Sequence, residues 1–245
     1  MKLAVAIPTK SRQNTKTYKL FEDVGINFFH FIEPQEIDSY NVPNKISIEQ
    51  NDKGIGYVRN YVLDWAKQNN YDWLIVCDDD VQSFGVYNGK TLKKDAAIWL
   101  DIIKKVKELP FEIIGINYIQ HAWHEKTSIS INKKFAEVCI LLNVKNINWK
   151  YRQEFNLKED RDFALQTIKY GNGILRYNHY WFSCPNVGSN EGGLQNEYKN
   201  KKDEIAAMKM SLEWAPFITL KKKGERIDIK TDIKKLAEFY KKYIK

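Results

Sequence analysis

Short apolar runs alternate along the chain with stretches whose apolar residues recur every three or four positions. Residues 3–7, 28–32, 73–77, 111–116, 136–143 and 173–178 are apolar and short, the signature of strands buried in a sheet. Residues 45–50 read as a further short strand. Residues 57–68 form an amphipathic helix with Val58, Tyr61, Val62 and Trp65 on one face. Residues 15–22, 96–108 (stopped by Pro110) and 160–170 (closed by Gly171) are the other expected helices of this part, with a short helical turn at 36–40. Residues 121–128 are polar and loop-like. Residues 183–194, rich in Gly, Asn and Ser, read as a mobile loop. Strands alternating with helices predict an α/β fold: a Rossmann-like, mostly parallel sheet flanked by helices. After about residue 195 the pattern changes to a polar helix (199–210), a hairpin (217–222 and 226–230 around Gly224-Glu225) and a basic terminal helix (232–243). The expected organisation is one domain over residues 1–194, with a small Lys-rich extension, 195–245, packed on it.

A chain of 245 residues with 43% hydrophobic and 29% charged residues has room for a full core. Its 7 Trp and 14 Tyr suit stacking on rings or sugars, although most must fill the core. The net charge of +8 favours an anionic partner, such as nucleic acid or a phosphorylated donor. Cys77, Cys139 and Cys184 are far apart and form no CxxC pair, which argues against a disulfide framework and for a reducing, cytoplasmic setting. The opening apolar run is cut by Pro8 and is too short for a signal peptide. No apolar run approaches the ~20 residues that cross a bilayer, so no membrane partner is expected.

The chemistry concentrates where Trp73-Leu74-Ile75-Val76-Cys77 ends in Asp78, Asp79 and Asp80. Carboxylates at the C-terminal edge of a strand sit where an α/β sheet opens into its ligand crevice. Three adjacent negative charges repel unless a cation binds, and Mg²⁺ or Mn²⁺ with a diphosphate satisfies them through oxygen ligands. Alternation turns Asp78 and Asp80 the same way, making them the better metal pair; an acidic turn is the bland alternative. Pro8-Thr9-Lys10-Ser11-Arg12 ends the opening strand with hydrogen-bonding and phosphate-pairing groups. Gly54-Ile55-Gly56 precedes a helix whose amides can face a phosphate, with Arg59 and Asn60 in the first turn facing the crevice. Lys158-Glu159-Asp160-Arg161-Asp162 opens a later helix and offers a general base, although acids favour helix starts in any case. His179, among aromatic residues at a strand end, is a possible third metal ligand and equally a structural residue. His121 and His124 lack a partner carboxylate at zinc spacing except Glu125, which argues against zinc. The loop around Gly188, Gly192 and Gly193 can close over a donor or acceptor.

In this order the pieces resemble a GT-A glycosyltransferase, over roughly residues 1–190. The IPTKSR opening, the GYVRN helix, the DDDV strand end, the EDRDF helix and the Gly-Gly loop resemble, more narrowly, the TET-associated glycosyltransferase group, linked to phage-type modification of hydroxymethylated DNA bases such as 5-hydroxymethylcytosine. The resemblance implies a nucleotide-sugar donor, a UDP-sugar, with Mn²⁺ or Mg²⁺ on Asp78 and Asp80; His179 is the expected added ligand from the residue pattern. It implies that Thr9, Arg12, Glu33 and Arg59 line the nucleotide; Pro8, Lys10, Gly56, Asn60 and Asp79 complete the expected nucleotide-sugar set. It implies Asp160 as the base with Glu159 beside it, and an acceptor region with Trp181, Gly192 and Gly193. Lys221-Lys222-Lys223 and Lys241-Lys242 are compatible with a DNA acceptor. Two other classes fit clustered acids on a basic chain: a metal-dependent nuclease or phosphotransferase, and a non-catalytic nucleic-acid-binding module.

Overall fold

Successive side chains of a strand point to opposite faces, and in the apolar runs both sets are apolar, so the sheet needs a covering layer on each side. The computed structural model, which describes residues 1–186 and 192–241, has that arrangement. Its strands are β1 (Leu3–Thr9), β2 (Phe28–Ile32), β3 (Lys45–Ser47), β4 (Trp73–Cys77), β5 (Ser83–Tyr87), β6 (Leu92–Lys94), β7 (Ile113–Tyr118), β8 (Ile129–Ile131), β9 (Cys139–Asn143) and β10 (Ile174–Ser183). They form one sheet in the order β3-β2-β1-β4-β9-β7-β10-β5-β6, with β8 also on β10. From the pairings, β3, β2, β1, β4, β7, β10 and β6 run one way, while β9, β5 and β8 run against them.

The helices are α1 (Lys19–Glu22), α2 (Ile55–Gln68), α3 (Ile98–Lys105), α4 (Ile119–Ala122), α5 (Glu159–Tyr170), α6 (Gln195–Lys199), α7 (Lys202–Glu213) and α8 (Ile233–Lys241). Ala4, Ala6, Leu74 and Val76 face one core, closed by α2, α5, α7 and α8 through Val62, Phe163, Met210 and Leu236. Val5, Ile7, Ile75 and Cys77 face the other, closed by Phe21 of α1 and Trp99 and Ile102 of α3. The extension carries a hairpin of β11 (Ile218–Lys223) and β12 (Arg226–Thr231). Its Ile218 and Ile229 lie in the same core as Leu74 and Phe163, so the extension completes the first core instead of resting on a finished surface.

Three local expectations change. The helix expected from residue 15 shortens to α1, because Thr15 and Thr17 donate their hydroxyls to the Asp79 and Val81 carbonyls and hold that segment open. Strand β10 runs past Asn178 to Ser183, with a register shift between Tyr177 and Trp181. Strands β5, β6 and β8 were not expected. Leu92, Lys93 and Lys94 of β6 are all exposed at the sheet edge and so carry no apolar signal. Gly188 and Lys242 lie outside the described residues. Among those described, no helix is long and apolar enough to cross a membrane.

Candidate functional site

Strands β1 and β4 are parallel neighbours, with Val5 opposite Ile75 and Ala6 opposite Val76. Their polar ends, Pro8 to Arg12 and Asp78 to Asp80, therefore emerge side by side. They open into a cleft of about 1420 Å³, which also receives the N-terminal ends of α2 and α5 and the β11–β12 hairpin.

The three aspartates separate by environment. Asp79 is buried, accepts a hydrogen bond from Thr9 Oγ1 at 2.5 Å and pairs with Arg12. Arg12 also reaches Asp80 at 3.2 Å. Thr15 fixes the Asp79 carbonyl at 2.5 Å. Asp79 thus anchors the turn to the end of β1, while the Asp78 and Asp80 side chains stay 35% and 24% exposed to the cleft. Burial, opposed by Arg59 and reinforced by Asp80, Asp79 and Asp160, pushes the Asp78 carboxyl up to about 6. Among the described residues no cluster of three or more His, Cys, Asp or Glu side chains forms a ready cation cage. A cation on Asp78 and Asp80 would therefore complete its shell with substrate or water oxygens, as hard cations commonly do.

Arg59, on the first turns of α2, ties the two acidic groups together. It donates to Glu159 Oε1 at 2.6 Å and to Asp78 Oδ1 at 3.3 Å. Glu159, the first residue of α5, is 3% exposed, and its Oε2 has no hydrogen-bond partner among the described residues. Burial, against the pull of Arg59, raises its carboxyl. Asp160 is half-buried in the cleft wall, and its Oδ1 accepts the Arg161 amide at 2.7 Å. The fork of Arg59 consumes Glu159 and leaves Asp160 as the accessible carboxylate of the pair.

Asp228 of β12 is a site residue that pattern reading passes over, since it is a single acid in a Lys-rich segment. It accepts the buried Lys158 ammonium at 2.9 Å and the Ile229 amide at 2.8 Å, with Arg161 at 3.9 Å. The residues flanking Glu159 and Asp160 are thus both held by the extension. Burial alone would raise the Asp228 carboxyl; Lys158, the Ile229 amide and Arg161 outweigh it and hold it at about 2. A folded-state value below the unfolded one contributes stability that is present above about pH 4 and is lost as pH falls through about 2. Denaturant titrations of wild type and Asp228→Asn are expected to show a stability gap at neutral pH that closes on acidification; a constant gap would show that the pair is not charged as described.

Other expected residues divide. Pro8, Lys10, Glu33, Gly192 and Gly193 line the cleft. Lys10 is already paired with Glu33 (3.0 Å) and Asp52. Gly192 and Gly193 dock on the end of β1, where a side chain on Gly192 (φ +79°) would meet the Ser11 carbonyl at 2.5 Å. This places them beside the β1 residues of the expected donor set. Four others are not among the described residues that line the cleft. Asn60 faces Tyr151, exchanging two 2.8 Å hydrogen bonds with its backbone, and Gly56 donates its amide to Asn156. His179 lies 3.1 Å from the Glu125 carbonyl and edge-on to Tyr87, outside the cleft lining. Trp181 is 1% exposed and packs over Gly85 in the interior.

A family model described as TET-Associated Glycosyltransferase matches residues 3–193. No curated protein sequence matches significantly. Among solved structures, the glucosyl-3-phosphoglycerate synthase of Mycobacterium tuberculosis in complex with Mn²⁺, uridine-diphosphate and phosphoglyceric acid is similar, with a TM-score of 0.55 at 9% identity, covering 94% of this chain and 86% of that one. The same enzyme with Mg²⁺ and uridine-diphosphate gives 0.53 at 9% identity over the same shares. Its complex with Mn²⁺, uridine-diphosphate-glucose and phosphoglyceric acid gives 0.51 at 8% identity, covering 96% and 91%. At such low identity the likeness concerns the fold, which is the GT-A-like α/β arrangement expected from the sequence. The family match spans β1, α2, the Asp triplet and the α5 acids, and the protein belongs to the TET-associated glycosyltransferase family and is a glycosyltransferase.

Proposed function

We propose that the protein transfers a sugar from a nucleotide-sugar donor, a UDP-sugar, to the hydroxyl of a hydroxymethylated base in DNA, with Mn²⁺ or Mg²⁺ held by Asp78 and Asp80. The observation that carries this reading is that Asp78 and Asp80 on one wall, and Asp160 on another, share one cleft. The donor set of a cation suits the site: two accessible carboxylates, hard oxygen ligands, in a group of acids that outnumbers the guanidinium groups touching it. Asp78 and Asp80 would hold such a cation, which when bound would supply charge neutralisation for the leaving diphosphate.

The chain's own residues supply the rest. Thr9 and Arg12 lock Asp79, so that Asp78 and Asp80 are presented on a fixed turn. Pro8, Lys10 and Glu33 form the nucleotide side, and Arg59 holds the start of α5 against the Asp turn. As the acceptor oxygen bonds to the sugar carbon and the bond to the diphosphate breaks, Asp160 takes the hydroxyl proton. The family and the uridine-diphosphate complexes of the similar structures support this reading.

The test is thermal stabilisation by a panel of nucleotide-sugars with Mn²⁺. One donor at ten to a hundred times its Kd is expected to add about 1.4–2.7 kcal/mol, and Asp80→Asn is expected to remove that gain. A gain equal in the variant and without metal would sink the metal-ligand assignment; no gain with any donor would sink the nucleotide-sugar reading.

A further inference from the structure

The cleft is bipolar. Its floor is acidic, with Asp78, Asp80 and Asp160, and its rim is basic. Lys221 and Lys230 stand on the β11–β12 hairpin, and Lys133 and Lys134 on the segment between β8 and β9; all four are exposed and line the cleft. Residues 226, 228 and 230 share one face of β12, with Lys221 directly across from Asp228. This is the face from which Asp228 holds Lys158. The two rim elements converge on Arg161, which donates to Glu137 at 2.7 Å and lies 3.9 Å from Asp228. Lys134 reaches Glu125 at 3.6 Å, whereas Lys133, Lys221 and Lys230 make no ion pair among the described residues. Half of this rim lies beyond the residues that match the family.

We infer that Lys133, Lys221 and Lys230 form a phosphate-docking rim that seats a nucleic-acid backbone across the mouth of the cleft. The inference rests on the DNA-acceptor reading and adds the surface that binds the acceptor. An acidic floor repels a polyanion, and ammonium groups above it offset that repulsion while leaving the floor to the donor's cation. Such contacts go to phosphates, so they position the acceptor without reading its sequence. The extension thereby acts twice, holding the base of α5 through Asp228 and the acceptor through its lysines.

The test is fluorescence anisotropy of a labelled short DNA duplex carrying one hydroxymethylated cytosine, titrated at several salt concentrations. The triple variant Lys133→Gln/Lys221→Gln/Lys230→Gln is compared with Lys90→Gln/Lys93→Gln/Lys94→Gln, which removes the same charge at the far edge of the sheet, and thermal unfolding checks that both fold. Each lost phosphate contact lowers the slope of log Kd against log salt by about one. The rim variant is therefore expected to lose about three, on duplexes of any sequence, and the far-edge variant close to none. Equal slopes in wild type and rim variant, or equal losses in both variants, would overturn the rim while leaving the acceptor reading intact. A wild type that neither binds the duplex nor glucosylates or otherwise glycosylates it would remove the DNA acceptor, and the rim with it.

Discussion

Arg59→Leu is expected to destabilise the protein by about 3–5 kcal/mol, the cost of leaving buried charges without their partner. Arg59 is the guanidinium that meets both Glu159 and Asp78, and its own side chain is only 10% exposed. Without it, Glu159 has a buried carboxylate whose second oxygen already lacks a partner among the described residues. The variant escapes part of this cost by keeping Glu159 protonated. Burial already raises the Glu159 carboxyl to about 7 against the pull of Arg59, and losing Arg59 raises it further; a raised value gives stability that is lost as pH rises through it, so the deficit of the variant should grow as pH rises through about 7 and above. Adding Glu159→Gln should recover much of the loss at neutral pH. Arg59→Lys should recover little, because one ammonium cannot span both carboxylates as the planar fork does. Urea unfolding across this pH range measures all three, and a deficit of Arg59→Leu within about 0.5 kcal/mol at neutral pH, the usual range of surface substitutions, would show that the bridge is not a buried one.

The parts of this fold that were legible in the sequence are those buried on both faces. Strands β1, β2, β4, β7 and β9 announce themselves because α1 and α3 cover one side and α2, α5, α7 and α8 the other, leaving no polar alternation. Strands β5, β6 and β8 sit where one face or an edge is open, and Gly85 and the exposed Lys93 and Lys94 give no strand signal. The Asp triplet was legible because charge follows an apolar run without a break. Side-chain direction was harder. Helix α2 begins at Ile55, two residues before the expected start, and each residue turns a helix by about 100°. Asn60 is therefore aimed at Tyr151 and Arg59 at the acids. The continuation of β10 through residue 183 similarly carries Trp181 into the core and takes His179 away from the Asp turn. Asp228 was invisible because its partner Lys158 is 70 positions away and only the tertiary fold joins them.

The division of labour between the adjacent acids of α5 leads to the second large effect. Asp160→Asn is expected to lower the rate of sugar transfer by about 10²–10⁴, the usual contribution of a positioned general base, while donor-dependent thermal stabilisation persists. Asparagine keeps the volume and can still accept the Arg161 amide hydrogen bond, now 2.7 Å long, so the start of α5 has no reason to move. It cannot take a proton from the acceptor hydroxyl. Glu159→Gln acts through Arg59 and should appear first as lost stability, with any loss of rate accompanied by a weaker donor response. Single-turnover transfer, measured beside the thermal response, separates the two. A rate for Asp160→Asn within about ten-fold of wild type, a barrier raised by only about 1.4 kcal/mol, would remove Asp160 as the base. The transfer would then proceed without a carboxylate of α5 taking the proton, which is the behaviour expected if the sugar keeps its anomeric configuration and the departing diphosphate accepts that proton.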